Sequence, residues 1–249
     1  MSGHSKWSSI KHKKAKVDAQ RSKIFGRLIR EIIVAARQGG GAIDANARLR
    51  TAVQAAREAN MPMDNITRAI KKGTGELPGT VIEEFTYEGY GPGGVAIIVE
   101  IVTDNKNRTS SEIRKIFSKH GGNLGSAGCV SWLFHKKGVI NVSGEAIEED
   151  KLMEIALESG ADDMKSEGGE YTVISSPEIF EPVRDALKEK GVEPDFAEIT
   201  MVPENQVKVE GKPAEQVLAL AEELEEHPDT QNVYANFDIP EDILEKITG

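Results

Sequence analysis

The sequence predicts a multidomain α+β protein, in which an N-terminal three-helix domain precedes two ferredoxin-like α+β domains, one inserted in the other. Length, a change of apolar periodicity near residue 80 and the order of the later elements predict this fold. At 249 residues the chain exceeds one typical domain, and 39% of its residues are hydrophobic, enough for more than one core. We expect domains at residues 1–80, at 81–135 plus 204–249, and at 136–203 for the insertion.

The first domain is predicted to be helical. Apolar residues from Val17 to Arg37 recur at helical spacing, and Gly39-Gly40-Gly41 ends this helix. Two further helices are predicted at Asp44–Asn60 and Pro62–Lys72, with proline in a first turn and glycine after the end. The short join between them could form a helix-turn-helix, but such joins are common in bundles. We therefore favour a three-helix bundle whose charged rim includes Arg68, Lys71 and Lys72.

Beyond a linker at residues 73–79 the period becomes that of strands. Strands are predicted at Val81–Tyr87, Val95–Val102 and Cys129–Phe134, with a helix at Thr109–His120. The next residues alternate as strand, helix, strand, strand, helix and strand, which is the ferredoxin-like order. These elements are Val139–Val142, Glu148–Ser159, Asp162–Lys165, Tyr171–Ser175, Pro177–Lys190 and Phe196–Val202.

The tail predicts a strand at Gln206–Glu210, a helix at Pro213–His227 and a strand at Asn232–Asp238. Joined to the earlier strand, helix and strand, these elements would complete a second ferredoxin-like domain around the insertion. The alternative is a linear arrangement in which the tail packs as an extra lobe.

Charge is divided sharply along the chain. Residues 1–72 contain 16 Lys or Arg and 5 Asp or Glu, whereas residues 73–249 contain 15 and 36. A positive front favours contact with nucleic acid, and an acidic rear is repelled by phosphate. We therefore expect binding at one end of the molecule, with solubility or a protein partner as the role of the acidic α+β domains.

The candidate nucleic-acid site combines an N-terminal arm, residues 3–16, with one face of the first helix. Lysines can displace condensed counterions from phosphates, and a tryptophan can stack on an unpaired base or anchor the arm. On the helical wheel, the basic residues of the first helix lie opposite its apolar half. The candidate residues are Lys6, Trp7, Lys11, His12, Lys13, Lys14, Lys16, Lys23, Arg27, Arg30 and Arg37.

The sequence offers little catalytic chemistry. It contains no Walker A loop, dinucleotide fingerprint, paired-cysteine motif or zinc-protease motif, so no enzyme activity, metal or cofactor is predicted. Cys129 is expected to be a core thiol, and the polar stretch Asp104–Thr109 to be an N-cap and loop in preference to a partner-contact site. No apolar stretch approaches the roughly 20 residues that span a bilayer. We expect a cytoplasmic protein with no membrane partner.

Several motifs in the same order closely resemble the YebC family across essentially the whole chain. One departure is Ala45-Asn46-Ala47, where relatives often carry prolines around the Asn. The matching segments are Gly3–Trp7, Met61-Pro62 with Asn65-Ile66, Ala69–Gly73, Tyr87–Pro92, Thr103–Asn105 with Asn107–Thr109, Gly121–Gly125 and Val130–Phe134.

The resemblance implies a helical domain followed by two α+β domains. It also implies regulation of gene expression: bacterial members are described as DNA-binding transcriptional regulators, and the similar mitochondrial protein is a translational activator of cytochrome oxidase subunit I. Other bacterial relatives are linked to relief of ribosome stalling at proline runs. The expected partner is therefore duplex DNA or, as the alternative, ribosomal RNA and the ribosome.

Overall fold

The computed structural model describes residues 19–79 and 81–240, with side chains from Lys23 onward. These residues form two compact units. The first unit holds the described residues up to Val130 together with Val209–Ala235, and the second holds Ser131–Lys208 with the described residues from Asn236. The three-domain division remains a prediction.

The first unit begins with helices α1 (Ala19–Gly39), α2 (Ala47–Glu58) and α3 (Met63–Gly73). One apolar cluster with members on all three helices, including Ile32, Leu49 and Ile66, packs them together, which confirms the predicted helical region. The polar side chain of Asn46 fixes the start of α2. Its Oδ1 accepts a hydrogen bond from the Leu49 amide at 3.0 Å, and its Nδ2 donates to the carbonyls of Ala35 and Gly40.

Next come strand β1 (Glu83–Tyr90), a short 3-10 turn (Pro92–Gly94), strand β2 (Ala96–Thr103), helix α4 (Lys106–Lys119) and the two-residue strand β3 (Asn123–Leu124). Strand β1 pairs antiparallel with both β2 and β3. All but one of the eight residues of β2 are buried, as its continuous apolar run predicts.

The predicted strand at Cys129–Phe134 is wrong. Residues Ser131–Leu133 form a 3-10 turn, and the next strand begins only at Phe134. The buried Glu88 explains the difference, because its carboxylate oxygens accept hydrogen bonds from the amides of Gly128 at 2.7 Å and Val130 at 2.8 Å. Amides held by this side chain do not pair with another strand.

The second unit contains β4 (Phe134–Ser143), α5 (Glu149–Glu158), β5 (Asp163–Glu167), β6 (Glu170–Ser175), α6 (Phe180–Glu189) and β7 (Phe196–Pro203). Its antiparallel sheet has the order β5-β6-β4-β7, with an apolar core that includes residues of α5 and α6. The predicted βαββαβ order is therefore confirmed.

The tail forms β8 (Val207–Lys208), helix α7 (Gly211–Glu226), β9 (Thr230–Ala235) and β10 (Phe237–Asp238). Strand β9 pairs with β2 and completes the first unit's antiparallel sheet, whose order is β3-β1-β2-β9. The α+β class and the insertion of one sheet within the other's chain are thus confirmed. The predicted last strand is broken at Asn236, and β10 pairs in parallel with β8 in the second unit.

Candidate nucleic-acid interface

The candidate site is only partly within the described residues. Lys6, Trp7, Lys11, His12, Lys13, Lys14 and Lys16 lie outside them. The other four candidates, Lys23, Arg27, Arg30 and Arg37, belong to α1. The structure therefore places the helical part of the predicted site, and the arm remains a prediction.

Two bases of α1, Lys23 and Arg27, lie near acids at the end of α7. The Nζ of Lys23 is 4.0 Å from Oε1 of Glu226, and both side chains are at least half exposed. Burial lowers the pKa of the Arg27 guanidinium, and the carboxylate of Glu225 acts in the opposite direction. An exposed pair at this distance contributes about 0–1 kcal/mol. These acids therefore partly offset the positive charge of the two bases but do not hold their side chains in place.

Arg30 is held more firmly. Its Nη2 donates to the carbonyl oxygen of Pro228, and its Nη1 lies 4.0 Å from Oδ1 of Asp229. Only 23% of the Arg30 side chain is exposed. Burial lowers the pKa of this guanidinium, while the carboxylates of Asp229 and Asp104 oppose the change. Arg30 is thus bound to groups of the protein itself, which leaves less of its guanidinium available to contact a phosphate.

Asp229 is the centre of a polar cluster behind Arg30. It is 4% exposed, and its Oδ2 accepts from Thr103 Oγ1 at 2.9 Å, Thr109 Oγ1 at 2.7 Å and Arg108 Nη2 at 2.6 Å. Burial raises the pKa of this carboxyl, but the three hydrogen bonds and the charge of Arg108 outweigh burial and lower it. A carboxylate with this many donors stays ionised near neutral pH.

The polar stretch Asp104–Thr109 therefore has a structural role. Asn105 caps α4, since its Oδ1 accepts a hydrogen bond from the Arg108 amide at 3.1 Å. The side chains of Arg108 and Thr109 then bind Asp229. The expectation of an N-cap and loop is confirmed. No local sequence pattern points to Asp229, which follows α7 and lies more than 100 positions after this stretch.

The remaining helical contacts tie the bundle to β1. Arg37 donates to the carbonyl of Ile82. Arg48 of α2 bridges Glu31 of α1 and Glu84 of β1, with its Nε 2.7 Å from Glu31 Oε1. Hydrogen bonds to the two carboxylates raise the pKa of Arg48. The bases on this side of the bundle are therefore matched by acids or carbonyls.

A cleft of about 540 Å³ lies beside this cluster in the first unit. Its charged lining consists of three bases and three acids, so their charges oppose one another. The six are Arg30, Lys72, Arg108, Asp104, Glu112 and Asp229. Such a lining does not favour an anion over a cation.

Three other bases have different surroundings. Arg68, Lys71 and Lys72 are exposed on α3, opposite the buried Ile66 and Ala69. Among the residues the structure describes, none of the three has an acidic side chain within 4.0 Å. The sequence predicts them only as part of the bundle's charged rim.

Catalytic and metal chemistry is also sparse in the described part of the chain. Residues 19–79 and 81–240 contain no group of three or more His, Cys, Asp or Glu arranged to hold a metal. Burial and the charge of Glu88 raise the pKa of the Cys129 thiol, which opposes formation of a nucleophilic thiolate. None of the described helices has both the length and the apolar character that a membrane crossing requires.

Comparison with known proteins decides the family. The sequence pattern described as the TACO1/YebC protein N-terminal domain matches residues 5–76, and the pattern of the TACO1/YebC second and third domain matches residues 82–237. The chain belongs to the TACO1/YebC family. The two patterns together leave out only the ends of the chain and the linker before β1.

Two relatives from bacteria match this chain over their full length. A protein of Dictyoglomus turgidum is 59% identical with complete coverage of both chains, and one of Syntrophobacter fumaroxidans is 60% identical over 99% of this chain and all of that one. Both are named "Probable transcriptional regulatory protein". The crystal structure of a conserved hypothetical protein from Aquifex aeolicus is 51% identical, with a TM-score of 0.79, and covers 92% of this chain and 95% of that one.

Proposed function

We propose that this TACO1/YebC-family protein is a non-enzymatic, cytoplasmic regulator of gene expression that binds nucleic acid through its basic N-terminal region. Duplex DNA and transcriptional control are the first candidate. The observation that carries the proposal is the charge division, 16 bases against 5 acids in residues 1–72 and 15 against 36 thereafter. The relatives' name, "Probable transcriptional regulatory protein", supports the same role.

The physical basis of binding is release of counterions. Each lysine or arginine that neutralises a phosphate frees condensed cations, which supplies affinity independent of base sequence. Lys11, Lys13, Lys14 and Lys16 provide four such charges within six residues. The arm therefore contributes the larger share of the proposed electrostatic binding energy.

The bases of α1 contribute to nucleic-acid binding only if they first leave their partners within the protein. Lys23 and Arg27 lie near Glu226 and Glu225, so phosphate contact requires them to exchange a carboxylate for a phosphate. Arg30 would also have to leave the Pro228 carbonyl, and its exposed fraction is small. Within α1, we therefore expect Lys23 and Arg27 to contact phosphate before Arg30.

The acidic region has a different proposed role. Residues 73–249 carry a surplus of 21 negative charges and are repelled by a polyanion. We infer that this region contacts a protein partner or keeps the molecule soluble. We propose no membrane partner.

A second candidate is RNA on the ribosome and translational control. Trp7 favours it, because an aromatic side chain within a basic arm can stack on an unpaired base, and specific RNA recognition uses unpaired bases. Duplex DNA has its bases stacked internally and offers Trp7 no such surface.

A competition at near-physiological salt tests the proposal. The full-length protein is mixed with labelled duplex DNA, free ribosomal RNA and intact bacterial ribosomes, and the bound fraction is measured for each. Preference for duplex DNA supports transcriptional control, whereas preference for RNA or ribosomes supports the second candidate. Binding to none of the three would overturn both.

A further inference from the structure

Helix α3 presents a compact basic face. Its buried side consists of Ile66 and Ala69, which are 0% and 2% exposed. Arg68, Lys71 and Lys72 are spaced three and four positions apart, so they lie together on the opposite, exposed side. From Arg68 to Lys72 the helix rises about 6 Å, and these are long side chains with charged ends.

These bases differ from three of the bases of α1 and α2 in their partners. Lys23, Arg30 and Arg48 each have a carboxylate within 4.0 Å. Within the described residues, no carboxylate lies that close to Arg68, Lys71 or Lys72, although Asp64 stands one turn before Arg68 on the same helix. Helix α3 therefore presents three neighbouring exposed bases whose charge is not offset by a described carboxylate at pairing distance.

We propose that this face of α3 is a phosphate-contacting surface for nucleic acid, in addition to the arm and α1. This proposal rests on the proposed function, nucleic-acid binding, and adds a second surface of the protein that contacts the nucleic acid. Each strand of a duplex carries one phosphate for about every 3.4 Å of the helix axis, so the three side chains can reach more than one phosphate of the same strand. The contacts are to the backbone, so they favour no particular base sequence.

A purely structural role predicts a different result. Lys71 and Lys72 lie in the last turn of α3, where cations interact favourably with the carbonyl end of the helix. If that is their whole contribution, removing their charge lowers the melting temperature and leaves nucleic-acid affinity unchanged. Phosphate contact predicts lost affinity in a folded protein.

The test is a triple variant, R68Q/K71Q/K72Q, because glutamine keeps a helix propensity close to that of lysine and arginine. The control, K165Q/K188Q/K190Q, removes the same charge from exposed sites in the second unit. Affinities for duplex DNA and ribosomal RNA are measured over a series of salt concentrations, and circular dichroism checks folding. If the triple variant is not folded, the single variant R68Q, in mid-helix, replaces it.

We expect the α3 variant to bind at least about tenfold more weakly at low salt than the control, because three phosphate contacts are lost. Its log–log salt slope should be smaller by about 2.7 on duplex DNA or about 2.1 on a single strand. For R68Q alone the corresponding decrease is about 0.9 or 0.7. Affinity and slope equal to those of the control would overturn the proposal.

A third protein separates this proposal from the proposed function. Replacing Lys11, Lys13, Lys14 and Lys16 with glutamine tests the arm. Loss of binding in the arm variant, with none in the α3 variant, would overturn the α3 surface and leave nucleic-acid binding intact. If the unaltered protein binds neither polymer, both proposals fall.

Discussion

The guanidinium of Arg108 donates to the carboxylate of Asp229 at 2.6 Å, joining the start of α4 to the residues that follow α7. The same oxygen accepts from Thr103 at the end of β2 and from Thr109 in the first turn of α4. On its other side, Asp229 Oδ1 is 4.0 Å from Arg30 of α1. One buried carboxylate therefore links the helical bundle to the sheet behind it.

Replacing Asp229 with Asn should destabilise the protein by about 2 kcal/mol, because two guanidinium groups lose their charged partner and the three donors are left with a neutral acceptor. The measurement is the free energy of unfolding from urea titration. Asp104→Asn is the matched control, because this acid is about half exposed and pairs with Arg108 only at 3.3 Å. Equal stability of the two variants would show that Asp229 has no special role.

The contribution of Asp229 to the free energy of unfolding should decrease at acidic pH. Its pKa in the folded protein is below the ordinary value of 3.8, so the ionised carboxylate stabilises the fold at every pH above the unfolded-state pKa. This contribution is lost as the pH falls through the lower folded-state pKa. The difference in unfolding free energy between the unaltered protein and Asp229→Asn should therefore be constant from about pH 5 to 8 and shrink below about pH 4. A difference that grows on acidification would contradict this assignment.

Replacing Glu88 with Gln should loosen the segment before β4. The amide of Gly128 and that of Val130 would lose a charged acceptor, which is about twice as strong as a neutral one. We expect hydrogen exchange at these two amides to accelerate about tenfold, while amides of β2 keep their rates. Glu84→Gln serves as a control on the same strand. Unchanged exchange at Gly128 and Val130 would show that Glu88 does not hold this segment.

Replacing both Glu225 and Glu226 with Gln should raise affinity for nucleic acid about threefold, because Lys23 and Arg27 would no longer need to leave a carboxylate. Glu210→Gln with Glu215→Gln removes the same charge near the other end of α7 and is the control. Fluorescence anisotropy with a labelled duplex measures both affinities. Equal gains in the two variants would mean that net charge, not the α1 bases, controls binding.

Local patterns were sufficient for much of the fold. The apolar run that became β2 and the periodicity of the three helices depend on neighbours in sequence, and both were predicted. The ferredoxin-like order of the second unit came from the same kind of signal. The strand predicted at Cys129–Phe134 is wrong because Glu88, about 40 positions earlier, binds the Val130 amide within this segment and the Gly128 amide just before it. No periodicity in the segment itself could reveal that partner.

The candidate site shows the same limit. The helical wheel separated the bases of α1 from its apolar half, but it could not show that Glu226 and Asp229 would face Lys23 and Arg30. Those acids lie about 200 positions after the two bases in the chain. Conversely, the sequence predicts Arg68, Lys71 and Lys72 on the charged rim of the bundle, but only the structure shows that these bases lack acidic partners among the described residues.

The most direct test of the central claim is the salt dependence of nucleic-acid binding by the full chain. If about six bases of the arm and α1 contact phosphates, they alone should make the logarithm of affinity fall against the logarithm of salt concentration with a slope near −5 on duplex DNA or near −4 on a single strand. Replacing Lys11, Lys13, Lys14 and Lys16 with alanine should abolish most of this dependence. Affinity that does not change with salt would contradict the electrostatic account.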